Sequence, residues 1–235
     1  SSNGWIIGET WDEIEEKKNS LSRLINPVEQ VTIYVGEYSI SGKPSSNVTY
    51  GKEYAENNDV CCKFLIQILC DYPMFILTNP LTPEIGKIFG GFMFPLTIPK
   101  NKGLIMGYRQ RSLFTTINNQ GSISVGIKMK IYAHGTVNNI EIIDVNSGKK
   151  IRINKVLNSG EVVEIDTNAG NRHVYGFVNG IEQDYIQYFD YDSEWLQLQT
   201  GINTLTFRSY SSGNIRDESY KRAEVIIEYK SARYN

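Results

Sequence analysis

From Leu104 to the C-terminus, short apolar runs alternate with turn-forming residues, and this pattern constrains the fold more than any other feature. The runs are SLFTTI, SVGIKMKIYAHG, IEIIDV, KKIRINKVL, EVVEID, HVYGFV, WLQL, NTLTFRSY and AEVIIEYKS. Several are separated by Asn-Ser-Gly, Asn-Gly or Ser-Ser-Gly-Asn. Many short strands at a spacing of roughly 8–12 residues are typical of an antiparallel β-sandwich. We therefore predict a C-terminal β-sandwich over residues 104–235.

We predict an N-terminal domain over residues 1–75, with one helix at about residues 10–25. Thr10 and Glu13 have the spacing of a capping box, which marks a helix N-terminus. Asn26-Pro27 ends the helix because proline disfavours a helical conformation in the residue before it. Helical spacing places Ile14, Leu21, Leu24 and Ile25 on one apolar stripe of this helix. Residues 15–18, which are all charged, lie mostly off that stripe.

In the rest of the N-terminal domain we predict two strands, at about residues 30–40 and 61–70. The second strand places Cys62, Phe64, Ile66 and Ile68 on one face. Residues 76–103 then predict an irregular inter-domain connection, because five of the seven prolines fall in 73–99 together with the apolar stretch FGGFMFPL. A flexible Gly/Ser linker would be more polar, so we expect this connection to pack against other residues.

The composition excludes several classes of function. The 24 Lys and Arg residues nearly balance the 26 Asp and Glu residues, which gives a net charge of −2 and no electrostatic footprint for nucleic acid. No apolar run approaches the ~18 residues of a membrane span, so we expect no membrane partner. Cys61, Cys62 and Cys70 have poor disulfide spacing, and we interpret them as reduced thiols of a protein made in a cytoplasm.

The stretch EVVEIDTNAGNRHVYGFVNG raises the question of catalysis, because Asp166 lies seven positions before His173. These residues could be two members of a catalytic triad, but no Gly-x-Ser-x-Gly nucleophile motif is present. A four-residue hairpin loop with a left-handed Gly170 would instead place Asp166 opposite His173 in a sheet. We favour this sheet pair, and we predict no catalytic residue, no metal site and no cofactor.

The stretch QDYIQYFDYDSEW interleaves acidic and aromatic residues. It could be a calcium loop, but the Asp-x-Asp-x-Asp-Gly framework is missing. It could also be an exposed loop whose end enters the core through Trp195, Leu196 and Leu198. A third interpretation is an aromatic surface that contacts a glycan or a protein partner, with the candidate residues Tyr185, Tyr188, Tyr191 and Trp195.

Five segments occur in order over most of residues 10–210: LSRLINPVEQVTIYVGEYSI, CCKFLIQILCDYPMF, INNQGSISVGIKMKIYAHGTVNNIEIIDVNSGKKIRIN, GEVVEIDTNAGNRHVY and DSEWLQLQTGINTLTF. In their order and spacing they resemble the distal tail protein family of long-tailed bacteriophages, a baseplate component. The resemblance implies a mainly β chain, with an α+β ring-forming N-terminal domain and a C-terminal sandwich of galectin-like or jelly-roll type. That family usually has several strands before the helix, and here the N-terminal domain is predicted to be incomplete.

The resemblance also implies a structural, non-enzymatic function in the virion. Six copies would form a ring that joins the tail tube protein to the tail-fibre or tail-lysin hub protein, after assembly in the bacterial host cytoplasm. The outward sandwich would hold receptor-binding proteins or touch the host wall. The alternative function is a carbohydrate-binding β-sandwich module that contacts host-surface glycans. The two are distinguished by whether the four candidate aromatic rings are exposed and coplanar or buried.

Overall fold

The structure is a computed structural model, and it describes residues 1–85, 88–90, 107–109, 114–211 and 215–234. The chain divides into two compact units. The first unit consists of Ser1–Thr78 and Arg233–Asn235, and the second unit consists of Asn79–Ala232. The predicted connection 76–103 lies largely outside the described residues.

The first unit is a small α+β assembly. Its elements in chain order are β1 (Ser2–Ile7), α1 (Trp11–Leu24), β2 (Val31–Val35), β3 (Tyr38–Pro44), β4 (Thr49–Tyr50), β5 (Cys61–Ile66), β6 (Ile68–Leu69) and β7 (Phe75–Leu77). One antiparallel sheet has the order β1-β5-β4, and α1 packs on it through a core of Ile6, Ile14 and Cys62. A second sheet begins with the β2-β3 hairpin and continues with β7.

The second unit contains most of the strands. They are β8 (Glu84–Ile85), β9 (Ile88–Gly90), β10 (Gly107–Arg109), β11 (Phe114–Asn119), β12 (Val125–Gly126), β13 (Lys128–Ala133), β14 (Ile140–Asp144), β15 (Lys150–Ile153), β16 (Val162–Asp166), β17 (His173–Val178), β18 (Ile181–Asp184), β19 (Gln197–Leu198), β20 (Gly201–Tyr210), β21 (Arg216–Asp217), β22 (Ala223–Glu228) and β23 (Ala232–Arg233). Two short 3-10 helices, Ile186–Tyr188 and Ser219–Arg222, lie between strands. Arg233 groups with the first unit, where β23 follows β7 in the sheet.

Two antiparallel sheets dominate the second unit. The five-stranded sheet has the order β11-β20-β14-β15, with β21 paired to β20, and the six-stranded sheet has the order β18-β17-β16-β13-β22-β8. Every second residue of β13 is buried, as expected for strands with one face in a core. Apolar side chains from both sheets are buried, among them Met129, Ile131, Ile142, Ile151, Val163, Phe207 and Val225. The predicted mainly β fold with an α+β N-terminal part is confirmed.

Several local predictions for the first unit need correction. The predicted strand 30–40 is a hairpin, because Gly36 adopts a left-handed conformation with a φ of 61° and reverses the chain between β2 and β3. Leu24, assigned to the apolar stripe of α1, is 74% exposed. Lys18, placed off that stripe, is buried. Strand β1 was not predicted from the sequence, because its alternating SNGWII run is short and precedes the helix directly.

Candidate functional site

Strand β1 has an exposed apolar face and one edge without a neighbouring strand, and together we call them the β1 surface of the first unit. Ile6 points into the core, so its neighbours Trp5 and Ile7 point to the opposite face, where they are 51% and 70% exposed. In the part of the chain that the structure describes, β1 has one strand neighbour, β5. Its other edge therefore presents backbone N–H and C=O groups that a further strand could pair with.

Among the described residues, large apolar side chains are exposed more often in the first unit than in the second. Those of the first unit are Trp5, Ile7, Trp11, Leu24, Val28, Tyr34, Val35, Tyr54, Val60, Leu69, Tyr72 and Tyr234. Exposed apolar residues that are scattered singly are ordinary, whereas apolar residues on one continuous face mark a protein–protein contact, and Trp5 and Ile7 lie on the same face of β1. The sequence signal for it was available, because Trp5 and Ile7 alternate with Ile6 in the SNGWII run.

The ammonium group of Lys18 contacts one of these exposed side chains, that of Trp11. Its Nζ donates hydrogen bonds to Glu15 Oε1 at 2.7 Å and to Asn57 Oδ1 at 3.0 Å. The same Nζ lies 4.9 Å from the centre of the Trp11 ring, a distance at which a cation and an aromatic face attract. A buried lysine therefore holds the exposed Trp11 ring in position at the start of α1.

The aromatic segment 185–195 of the second unit does not form a flat platform. Tyr185 is 2% exposed and meets Tyr188 edge-on, with ring centres 5.3 Å apart. Trp195 is partly buried and stacks on Phe189 at 4.7 Å, whereas Tyr191 is fully exposed. The prediction that Tyr185 contacts a surface ligand is wrong for this conformation, because its ring lies in the core. Tyr188, Tyr191 and Trp195 keep their status as predicted contact residues.

The carboxylates of this segment build the loop itself. Asp190 accepts hydrogen bonds from Asn154 Nδ2 at 2.6 Å and from the backbone N–H of Asp192 at 3.0 Å. These hydrogen bonds, the one from Asn154 first, lower the pKa of Asp190. Within the described residues, no three of the His, Cys, Asp and Glu side chains are grouped so that they could hold a metal ion. The described residues also contain no helix that is both long and apolar enough to cross a membrane.

The pair Asp166 and His173 is a cross-strand pair between β16 and β17, as the sequence predicted. Gly170 in the loop has a positive φ of 83°, which also agrees with the prediction. The two side chains form no ion pair with each other, however. Asp166 is buried and accepts hydrogen bonds from Asn168 and Asn171, which close the loop.

Glu164, rather than Asp166, is the carboxylate that contacts the His173 ring. Glu164 Oε1 lies 3.2 Å from His173 Nε2 and 2.8 Å from Lys128 Nζ, and its Oε2 lies 3.4 Å from Lys130 Nζ. Burial alone would raise the pKa of Glu164, but the hydrogen bonds from Lys128 and His173 outweigh it, and the pKa is lowered. His173 also stacks on Tyr175 at 4.3 Å. Sequence reasoning missed this network because it depends on strand register.

A second polar cluster closes a corner of the sandwich around Asp217. Its carboxylate accepts hydrogen bonds from Asn138 Nδ2 at 2.6 Å, from the Ser209 hydroxyl, and from Ser219 Oγ at 2.7 Å. Burial raises the pKa of Asp217, but these hydrogen bonds more than offset it and hold the pKa at about 2. Every donor belongs to a neighbouring turn or strand, so the cluster holds these segments together and stabilises the fold.

Comparisons with known proteins agree with the sequence-based resemblance. Residues 120–222 match the family described as siphovirus-type tail component, C-terminal domain. No curated protein sequence matches the chain. The Dit protein of phage SPP1, described as a paradigm of the hub adsorption apparatus in phages that infect Gram-positive bacteria, has a TM-score of 0.60 and 11% sequence identity, over 97% of this chain and 76% of its own. Two phage P2 baseplate structures in the activated conformation, with Ca and with Sr, give TM-scores of 0.38 and 0.39 at 12% and 13% identity, over 97% of this chain and 79% of theirs.

The fold of this chain is therefore that of the SPP1 Dit protein, and the resemblance to distal tail proteins is confirmed. Residues 120–222 therefore match a tail-component domain, and the chain has the fold of a phage hub protein.

Proposed function

We propose that this protein, which carries the C-terminal domain of siphovirus-type tail components in residues 120–222, is a distal tail protein whose copies close into a six-membered ring. The apolar surface of the first unit is the observation that carries this proposal. Trp5 and Ile7 extend from a strand that has no second strand neighbour among the described residues, and on it Ile7 O accepts a hydrogen bond from Lys17 Nζ at 2.7 Å. A second copy would cover the exposed rings and supply hydrogen bonds to the open edge.

A ring requires a heterologous contact, in which two different surfaces of the same chain meet and the rotation closes. The β1 surface would be one side of this contact. The ring would lie between the tail tube protein and the tail-fibre or tail-lysin hub protein, after assembly in the cytoplasm of the bacterial host. The sandwich would then be free to hold a receptor-binding protein or to touch the host wall. We expect no enzymatic activity.

The test is the mass and shape of the purified protein over a range of concentrations, by mass photometry and negative-stain imaging. We expect rings with a central hole that appear as the concentration rises. The double substitution Trp5→Glu/Ile7→Lys should prevent ring formation, because it places charges in an apolar contact. Ile202→Lys is the matched control, because Ile202 is 65% exposed but lies in the second unit. A wild-type protein that remains monomeric at every concentration would refute the proposal, as would rings that form equally well in the double variant.

A second candidate function is carbohydrate binding by the sandwich, and the observation that favours it is the full exposure of the Tyr191 ring. An exposed ring can stack on the apolar face of a sugar. Tyr188 and Trp195 lie in the same segment and would extend the contact. A glycan array with the wild-type protein and with Tyr191→Ala tests this function. Signals that are equal for the two proteins would remove Tyr191 from any glycan site.

A further inference from the structure

The free edge of β1 presents a defined set of backbone groups. Lys63 of β5 lies opposite Trp5. Lys63 directs both of its backbone groups away from β1, because its N–H donates to Glu56 O at 2.7 Å and its C=O accepts from the Gly51 N–H at 2.9 Å. In an antiparallel pair, hydrogen-bonded and non-hydrogen-bonded residue pairs alternate. The N–H and C=O groups of Trp5, and those of Asn3 two positions earlier, therefore point away from β5.

A contact from α1 limits the length of this free edge. By the same alternation, the C=O group of Ile7 also points away from β5. It accepts a hydrogen bond from Lys17 Nζ at 2.7 Å. An added strand would have to displace this ammonium group in order to bond to Ile7 O. The positions of β1 that can pair with another strand are therefore Asn3 and Trp5.

Strand β2 of the first unit has a free edge of the same kind. In the part of the chain that the structure describes, its one strand neighbour is β3. Gly36 has a φ of 61° at the first central position of a two-residue turn, so Val35 and Tyr38 form the hydrogen-bonded pair that closes the hairpin. Alternation along β2 then points the N–H and C=O groups of Thr32 and Tyr34 away from β3. Each of the two edges thus offers two residues to an added strand.

The side chains of the two edges also match. On both strands, the residues with free backbone groups have exposed side chains, and residues between them, such as Ile6 and Val31, pack into a core. Neither strand contains a charged residue. Proteins usually protect an edge strand with charges, and the sheet-edge strands β15 and β18 of the second unit carry two charged residues each. The edges of β1 and β2 lack this protection, as expected for strands that pair with another chain.

We propose that the free edge of β1 in one copy pairs with the free edge of β2 in the next copy, as antiparallel strands. This inference rests on the proposed ring and identifies the second side of its contact. Trp5 lies opposite Thr32 in this register. Asn3 lies opposite Tyr34, and each of these pairs exchanges two backbone hydrogen bonds. Because β1 and β2 are different surfaces of the chain, the contact is heterologous, as a ring requires.

Proline substitutions test the pairing while the fold of each copy is kept. The N–H groups of Asn3 and Thr32 point away from their own sheets, so Asn3→Pro and Thr32→Pro each remove a donor that the fold itself does not use. Each substitution removes a hydrogen bond between copies and places a ring against the added strand. We expect each to raise the concentration at which half of the full-length protein is assembled by about 10- to 100-fold. Circular dichroism of the variants checks that they remain folded.

Glu182→Pro is the matched control on an edge strand of the second unit. The two-residue turn Asn179-Gly180 makes Val178 and Ile181 the hydrogen-bonded closing pair of the β17-β18 hairpin. The N–H group of Glu182 therefore also points away from its neighbouring strand. This control should assemble like the wild type, because β18 takes no part in the proposed contact.

A disulfide cross-link tests the register directly. In the proposed pairing the Cα atoms of Asn3 and Tyr34 lie about 5.5 Å apart, which a disulfide can span. After mild oxidation, Asn3→Cys/Tyr34→Cys should give a ladder of covalent oligomers on a non-reducing gel. Asn3→Cys/Thr32→Cys should give far less, because diagonal neighbours are separated by about 7–8 Å. The wild type and the single variants measure the background from the three native cysteines.

The pairing and the ring can fail separately. Rings that form equally well in the proline variants, together with a double-cysteine variant that gives no ladder, would overturn the pairing and leave the ring. A ladder without closed rings in negative-stain images would refute the ring and support the pairing. If the wild type does not assemble and the double-cysteine variant gives no ladder, both are wrong. A dimer cross-linked by Asn3→Cys alone, above the wild-type background, would indicate a two-fold contact between β1 strands and would also overturn the pairing.

Discussion

Gly176 in β17 tests how tightly the aromatic segment is packed against the sandwich. A Cβ atom added at this position would lie 2.1 Å from Cε2 and Cζ of Tyr185. Tyr185 has little room to move. Its backbone N–H donates a hydrogen bond to Val174 O at 2.9 Å, and its ring contacts Tyr188 and Lys155. Gly176→Ala therefore forces either the ring or the strand to shift.

The expected size of this effect follows from packing. Overpacking a core costs about 1–3 kcal/mol and occasionally more. Contacts of a Cβ below 3.0 Å are essentially never observed, so we expect the upper end of this range, about 3 kcal/mol. In a unit of this size each kcal/mol shifts the melting temperature by about 2–4 °C, so the melting temperature of the second unit should fall by about 6–12 °C.

The assay is thermal unfolding of the full-length variant, followed by calorimetry. Gly148→Ala is the control, because Gly148 has a positive φ of 73° but no atom within 4 Å of an added Cβ, which isolates backbone strain. This control should cost about 1 kcal/mol. In a Tyr185→Ala background, Gly176→Ala should cost far less than in the wild type. A smaller destabilisation by Gly176→Ala than by Gly148→Ala would refute the argument.

Three further substitutions test separate parts of the molecule. The pKa of Asp217 is depressed to about 2, so its stabilisation is present above about pH 4 and is lost as the pH falls towards 2; Asp217→Asn should flatten the pH dependence of the melting temperature in that window. Glu164→Gln should lower the stability of the second unit by about 2–3 kcal/mol in thermal unfolding at neutral pH, since it leaves the cations around it without their carboxylate, and an unchanged melting temperature would contradict this. Thr10→Ala removes the hydroxyl that accepts from the Glu13 N–H at 3.3 Å and should destabilise the first unit by about 1 kcal/mol in chemical denaturation, whereas Thr10→Ser should not.

Elements whose signal lies within a few neighbouring residues could be predicted from the sequence. Helix α1 begins after Thr10 and ends near Asn26-Pro27, as the capping and proline signals indicated. Asp166 lies opposite His173, because the loop length fixes the register of this hairpin. The strand periodicity of the C-terminal region likewise predicted the strands of the sandwich.

Features that depend on tertiary environment could not be predicted in the same way. Lysine usually occupies an exposed position on a helix. Lys18 is nevertheless buried, because Trp11, Tyr50 and Asn57 surround its ammonium group. From the sequence, Tyr185 is a plausible surface residue. Its ring is buried because Gly176, on strand β17, has no side chain and leaves space for it. No local pattern contains this information, because the partners are distant in sequence or belong to another strand.

The surroundings of Glu141 show how strand register decides which charged side chains meet. Glu141, Arg152 and Arg208 are far apart in the sequence, and each is an ordinary charged residue in its own strand. Only the pairing of β14 with both β15 and β20 places the carboxylate between the two guanidinium groups. A shift of one residue in either pairing would turn these side chains towards the core. The same hydrophobic alternation that builds the sandwich therefore also decides which charged side chains become neighbours on its outer faces.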